Sequence, residues 1–244
     1  MRKVMIGTPC YDGKIDVWYC NALINTIKMG IELDIEIIPM WVSFDALLQR
    51  ARNDTIHIAL ETNCDDLIWI DSDIEWQPEQ FFKLLNYQVD VVGGTYRKKG
   101  DEEVYVLRQL IKKSPDLETG LIEVEGLGTG FVRFTKAAMQ HLWDISEPYI
   151  DPKDDKERRM IFDVVIQTVG GIRQMVSEDI HAFNKLKDGG FKVWLDPEIT
   201  CNHIGPYKFV GDFNSWYNNA GIPVKSPKLS ENNNRNFSSS RKQL

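Results

Sequence analysis

Short apolar runs alternate with stretches of helical period through the first half of the chain. Val4-Met5-Ile6 reads as a first strand that ends in the turn-rich loop Gly7-Thr8-Pro9-Cys10-Tyr11-Asp12-Gly13. Between about Ile15 and Met29, Tyr19, Leu23 and Ile27 recur every four residues, which predicts a helix stopping near Gly30. Ile35-Glu36-Ile37-Ile38 is a second strand. Ser43 or Asp45 can cap a helix running to about Leu60, with Leu47, Ala51, Thr55 and Ile58 on its inner face. Leu67-Ile68-Trp69-Ile70 is apolar at every position, the pattern of a strand buried on both faces. Pro78 suits the first turn of a helix through about Tyr87, and Val89 to Gly94 is a further short strand. Strand and helix in strict alternation predict an α/β domain, with a mostly parallel central sheet and helices on both faces.

The second half is less regular. Val104–Leu107 and Leu121–Val124 read as antiparallel strands. Phe131–Phe134 reads as a strand leading into a helix capped by Thr135. Residues 144–160 alternate acidic, basic and polar and predict a mobile surface loop. Ser177-Glu178-Asp179 opens a helix that ends at Gly189-Gly190, and Phe191–Leu195 is another strand. From about Gly221 the residues become Ser, Asn, Lys and Pro. The expected organisation is therefore one domain over residues 1–220 and a polar, flexible tail over residues 221–244.

Composition narrows the function classes. With 244 residues, 43% of them hydrophobic, the chain can bury a core without disulfide or metal staples. A net charge of −7 gives no reason to expect a nucleic-acid partner. The four cysteines, Cys10, Cys20, Cys64 and Cys201, lack C-x-x-C spacing and read as free thiols. No stretch reaches the ~20 apolar residues of a membrane span, and the amino-terminal apolar run is too short for a signal peptide. A cytoplasmic, soluble protein is the expectation.

Chemistry concentrates where strands end. Asp71-Ser72-Asp73 follows the most apolar strand. In extended chain, side chains at i and i+2 share a side, so two carboxylates would project from the carboxyl edge where open α/β sheets bind ligands. Such a pair suits a divalent cation serving a phosphorylated ligand; it equally suits a solvated Asx turn. His203 is a candidate ligand or an ordinary core histidine, and one carboxylate with one imidazole would suit Mn²⁺ on a diphosphate. Glu178 and Asp179 either complement a helix dipole or supply a general base. Gly126-Leu127-Gly128-Thr129-Gly130 has Phe131 where a dinucleotide fingerprint needs its third glycine, which excludes NAD; the glycines would let a ligand approach the backbone.

Taken in order, several motifs resemble the GT-A-fold nucleotide-sugar glycosyltransferases, close to the family 2 pattern and to small viral and phage members. They are Thr8-Pro9-Cys10-Tyr11, Arg52-Asn53, Trp69-Ile70-Asp71-Ser72-Asp73 and Gly128-Thr129-Gly130-Phe131, then Ser177-Glu178-Asp179, and Trp194-Leu195-Asp196-Pro197 ahead of His203. The resemblance spans roughly residues 3–205 and implies a single GT-A (Rossmann-like) domain. It implies that Thr8, Pro9, Cys10 and Tyr11 hold base and ribose, and that Arg52 (with Arg50 as the alternative) reaches the nucleotide. Asp71 and Ser72 would meet the donor, and Asp71, Asp73 and His203 would hold Mn²⁺ or Mg²⁺. Asp179 would be the base of an inverting reaction. Lys98 and Lys99 would meet the diphosphate or form a solvated turn. Ile180-His181-Ala182-Phe183 follows the Glu-Asp pair in place of the Gln-x-x-Arg-Trp motif of processive synthases, which favours transfer of single sugars.

The function expected is transfer of a sugar from a UDP- or GDP-sugar donor to a hydroxyl of a glycan or glycoprotein acceptor, with no nucleic acid and no integral membrane segment involved. Two alternatives stand beside it. A sugar-nucleotide nucleotidyltransferase should carry a glycine- and arginine-rich loop after the first strand, which this chain lacks. A non-catalytic glycan-binding module would stack sugars on aromatics such as Trp194 and Trp216.

Overall fold

A computed structural model describes residues 1–111, 114–169 and 171–219. In chain order the elements are β1 (Arg2–Cys10), α1 (Val17–Glu32), β2 (Ile35–Ser43), α2 (Leu48–Glu61), β3 (Asp66–Ile70), β4 (Ile74–Glu75), α3 (Pro78–Asn86), β5 (Val91–Tyr96), β6 (Ile122–Val124) and β7 (Phe131–Thr135). They continue with α4 (Lys136–Ile145), β8 (Pro148–Asp151), β9 (Lys156–Arg159), β10 (Val165–Val169), β11 (Ile172–Val176), α5 (Glu178–Asp188), β12 (Val193–Ile204), β13 (Lys208–Phe209) and α6 (Phe213–Asn219). The predicted tail at 221–244 lies outside the described residues.

The main sheet runs β13-β12-β5-β7-β3-β1-β2, with β4 and β6 also paired to β12. β2, β1 and β3 are mutually parallel, as are β5 and β12; β7 is inserted antiparallel between β3 and β5. The mostly parallel α/β architecture expected from the alternation is thus present. The all-apolar pattern of β3 reflects two cores. Leu67 and Trp69 face one side, packed with Ile56 of α2, Met139 of α4 and Phe183 of α5. Ile68 and Ile70 face the other, with Tyr19 and Leu23 of α1 and Phe81 and Leu84 of α3. All five β3 residues are buried, and each large apolar side chain so buried contributes about 1.5–3 kcal/mol.

Helix starts follow local chemistry in part. The Asp16 carboxylate accepts from Trp18 N at 2.8 Å to open α1, and Gln77 with Gln80 forms a reciprocal capping box at α3. For α2 the inner face differs from expectation. Leu47 is exposed, while Arg52, Asn53 and His57 are buried with Ala51, Thr55 and Ile56. Polar groups enter because a later segment supplies their partners: the Asn53 side-chain oxygen accepts from Phe162 N at 2.8 Å, and Arg158 donates to Asp54 at 3.0 Å.

Residues 144–160 are not a structureless loop. They hold the end of α4 and the hairpin β8–β9, fastened by Arg158 to Asp54 and Asp154. The alternation of charge that suggested a loop is that of a two-stranded ribbon whose charged groups pair locally and with α2. Val104–Leu107 makes only isolated bridges, Arg97 with Tyr105 and Leu107 with Leu127.

Candidate active-site crevice

The parallel strands β2, β1 and β3 end side by side, Cys10 opposite Ser43 and Gly7 opposite Trp69, so the loops that follow them share one edge. The chain does not stay extended after β3. It stops at Ile70 and turns, with Ile74 N donating to Asp71 O at 3.1 Å. The i, i+2 argument therefore fails for Asp71 and Asp73: the turn sends the two carboxylates to different partners. Asp71 lies 3.7 Å from the Arg52 guanidinium. Asp73 Oδ2 is paired with Lys99 and stands 3.5 Å from His203 Nε2.

His203 reaches this position through a long strand. β12 runs parallel to β5, shifts register between Leu195 and Thr200, then pairs antiparallel with β4, His203 opposite Ile74. Ile204 N donates to Asp73 O at 2.8 Å, which fixes the strand against the turn. His203 Nδ1 lies 2.9 Å from the carbonyl of Arg97. A carbonyl only accepts, so Nδ1 carries a proton and donates to it, which leaves Nε2 facing the Asp73 carboxylate. Anchoring one ring nitrogen on a backbone carbonyl is how metal-ligating histidines are commonly oriented, with the other nitrogen free to turn to an ion. Burial acts against the charge of Asp73, but hydrogen bonds from His203 and Lys99 outweigh it and hold the carboxyl below the usual range. Among the described residues, no group of three or more His, Cys, Asp or Glu side chains gathers to hold an ion. The pair present fits a cation that keeps few protein ligands and completes its shell with water and phosphate.

Arg52 is 4% exposed and sits beneath the crevice. Its guanidinium pairs with Glu178 in the first turn of α5, approaches Asp71, and stacks on Phe162 with 5.7 Å to the ring centre. It thus ties the end of β3 to the start of α5. Burial raises the Asp71 carboxyl; Arg52 works in the opposite sense, and the charge of Asp73 adds to the rise. Arg50 points elsewhere, forked onto Asp45. Asp179 stands beside Glu178, half-buried, its Oδ1 accepting from Ser177 Oγ and Ile180 N.

The first-strand loop presents less than its sequence suggests. Thr8 is fully buried with its hydroxyl 2.6 Å from that of Tyr19, and Cys10 is 2% exposed. Pro9 is half-buried, and Tyr11 stands free in solvent. Phe44, after β2, adopts a left-handed φ of 59° and covers Gly13, itself at φ 71°. Asp16 N donates to Ser72 O at 2.9 Å, tying this loop to the turn after β3. The glycines of Gly128-Thr129-Gly130 admit the buried Tyr96 ring and hydroxyl, not open space for a ligand: a Cβ on either glycine would overlap the Tyr96 oxygen. Tyr96 in turn sits edge-on to His203, 5.1 Å between ring centres. Thr129 Oγ1 and Arg52 Nε are buried without a hydrogen-bond partner among the described residues.

Lys99, Tyr96, Glu178 and the Arg97 carbonyl are the site groups that sequence reasoning left unplaced or assigned elsewhere. The Lys98-Lys99 pair was visible as a cationic turn, but nothing in its spacing indicates which carboxylate it meets.

No known protein-family pattern matches the sequence, and no curated protein matches it. Among solved structures the chain is similar to the A197 protein from STIV, at a TM-score of 0.50 and 18% identity over 84% of this chain and 86% of that one. It also aligns with a glycosyltransferase involved in glycosylation of the major capsid of PBCV-1, at TM-score 0.34 and 11% identity over 57% of this chain and 63% of that one. A third alignment, at TM-score 0.36 and 10% identity, is to a protein from Bacillus anthracis described as a glucose-1-phosphate thymidylyltransferase, over 58% of this chain and 74% of that one. Likeness at these identities is one of fold alone, here an α/β domain built on one central mixed sheet. No helix among the described residues is long and apolar enough to cross a membrane.

Proposed function

We propose that this chain is a metal-dependent glycosyltransferase that moves a sugar from a UDP- or GDP-sugar to an acceptor hydroxyl on a glycan or glycoprotein. The observation that carries the reading is the Asp73–His203 pair at the carboxyl edge of the sheet, with Nδ1 anchored on the Arg97 carbonyl and Nε2 aimed at the carboxylate. Asp73 and His203 are the groups that would hold Mn²⁺ or Mg²⁺, with Asp71 nearer to Arg52 than to His203. The ion, when bound, supplies positive charge to the leaving diphosphate. Lys99 brings an ammonium to the same carboxylate oxygen and is placed to meet phosphate once released from it. Tyr11 offers its exposed ring to a base.

Asp179 takes the acceptor proton in an inverting transfer. Its Oδ1 is engaged by Ser177 and Ile180 N, and the described residues offer no hydrogen bond to Oδ2. Of the aromatics that a purely glycan-binding role would use, Trp216 is a half-buried ring packed against Tyr105 and Phe213, and Lys192 lies over the ring of Trp194. Thermal unfolding with UDP or GDP, with and without Mn²⁺, tests the reading. The pair should stabilise the wild type by mass action, ~2.7 kcal/mol at one hundred times Kd. Asp73→Ala should lose that gain while remaining folded. Equal stabilisation of the two proteins would sink the proposal, and a hydrolysis panel of sugar nucleotides would name the donor.

A further inference from the structure

A cavity of about 310 Å³ adjoins the crevice on the α5 side. Gly128, against which Tyr96 packs, and Asp179 belong to its wall. Val106, Leu127, Val176 and Ile180 supply apolar lining. Lys98 and Arg108 belong to the same lining. Acids outnumber bases 36 to 29 in this chain, yet neither of these cations has an acidic partner among the described residues. The next residue, Lys99, shows the contrast by pairing with Asp73. The amino terminus of α5, an eleven-residue helix, opens at the same wall and adds its positive dipole end. Asp179 is the one acid in the lining, and its Oδ1 is already held by Ser177 and Ile180 N.

We infer that this cavity binds the acceptor, and that the acceptor is a sugar unit bearing an anionic group, a carboxylate or a phosphate. The inference rests on the transferase reading for the word acceptor; the anion preference stands on the cavity alone. A lining that combines apolar side chains with two cations suits a sugar ring whose carbon face rests on the apolar residues and whose acidic substituent meets Lys98 and Arg108. Asp179 then faces the hydroxyl end, where a second anion would be repelled.

Methyl NMR of the full chain tests this. Met175 lines the cavity and is 73% exposed, so its labelled methyl group reports occupancy. Titrations with glucose, glucuronate and glucose 6-phosphate compare neutral, carboxylate and phosphate probes. Either anionic sugar should shift the Met175 signal at a concentration at least about tenfold below that needed for glucose, roughly the 1.4 kcal/mol of one tenfold step. Lys98→Gln and Arg108→Gln, each checked for an unaltered unliganded melting temperature, should each weaken that binding severalfold, and the double variant should erase the preference over glucose. Glucuronate ahead of glucose 6-phosphate, or the reverse, identifies the acidic group. Equal response to glucose, an anion response untouched by the double variant, or no response from any probe overturns the inference. The nucleotide-plus-Mn²⁺ stabilisation is read on the same samples. Its absence would sink the transferase reading and leave the anion site standing; its presence without anion binding would sink the anion site alone.

Discussion

Cys10 is the last residue of β1, at the strand edge that faces the crevice, yet its thiol is pushed up to about 11, by burial first and then by the carboxylates of Asp12 and Asp71. The thiolate is the reactive form, so at pH 8 a thiol reagent should label Cys10 slowly in the folded protein and rapidly after unfolding. Peptide mapping of timed labelling checks this, and rapid native labelling at Cys10 would contradict the buried geometry. Lys99 lends itself to a second test, within the proposed function. Its ammonium and an incoming cation compete for Asp73 Oδ2, and the pair is about one-third exposed on both sides. An ion pair of that kind is worth little, about 0.2–1 kcal/mol. Lys99→Ala should therefore tighten Mn²⁺ binding by at most about fivefold in calorimetry. A loss of Mn²⁺ affinity in that variant would show that Lys99 supports the ion instead of competing with it.

Among the elements, α2 and α5 are joined across the floor of the crevice by one buried contact, Arg52 to Glu178, whose side chains are 5% and 15% exposed. Removing one partner leaves a charge without compensation in a dry setting. Glu178→Ala should cost about 3 kcal/mol in denaturant unfolding, the low end for a broken buried pair, since Asp71 and Phe162 still contact the guanidinium. Asp179→Asn, one residue on, should cost less than ~1 kcal/mol, because the amide oxygen can still accept from Ser177 and Ile180 N. The two substitutions therefore separate a bracing role from a chemical one. Under inversion, Asp179→Asn should cut turnover by roughly 10²–10⁴-fold while leaving stability nearly intact. A similar stability loss from both would remove the distinction.

At the scale of the whole molecule, stability in acid is linked to Asp45, which joins the β2–α2 connection to the hairpin β8–β9. Its carboxyl is held well below the usual carboxylate range, chiefly by the Arg50 hydrogen bond and further by Lys153, against the effect of burial. A depressed native pKa means that this stabilisation is complete above the ordinary carboxylate range and lost as pH falls through the native value. Asp45→Asn should lower stability at pH 7 by about 1.5–3 kcal/mol, the worth of hydrogen bonds to a charged group. It should also flatten the acid limb of a stability-against-pH curve. An acid limb identical to wild type would show that other carboxylates set the acid response.

The amino-acid sequence by itself determined the alternation of strand and helix, the two-sided burial of Leu67–Ile70, and the glycine stop after Asp188. Each depends on side-chain period or local backbone chemistry within a few residues. It also determined which residue types stand at strand ends, and so the candidates Asp71, Asp73, Asp179 and His203. Tertiary structure alone decided how those groups pair. Asp73 meets His203 because β12 crosses back to β4 after a register shift, a contact between residues 130 apart that no local pattern encodes. Arg52 is buried because Glu178, far along the chain, supplies the countercharge. The segment 144–160 forms a hairpin because its charges find partners on α2, so a stretch that is polar in isolation is satisfied only in the fold. The glycines at 128 and 130 make room for Tyr96, a neighbour that only the packing of β5 against β7 brings there.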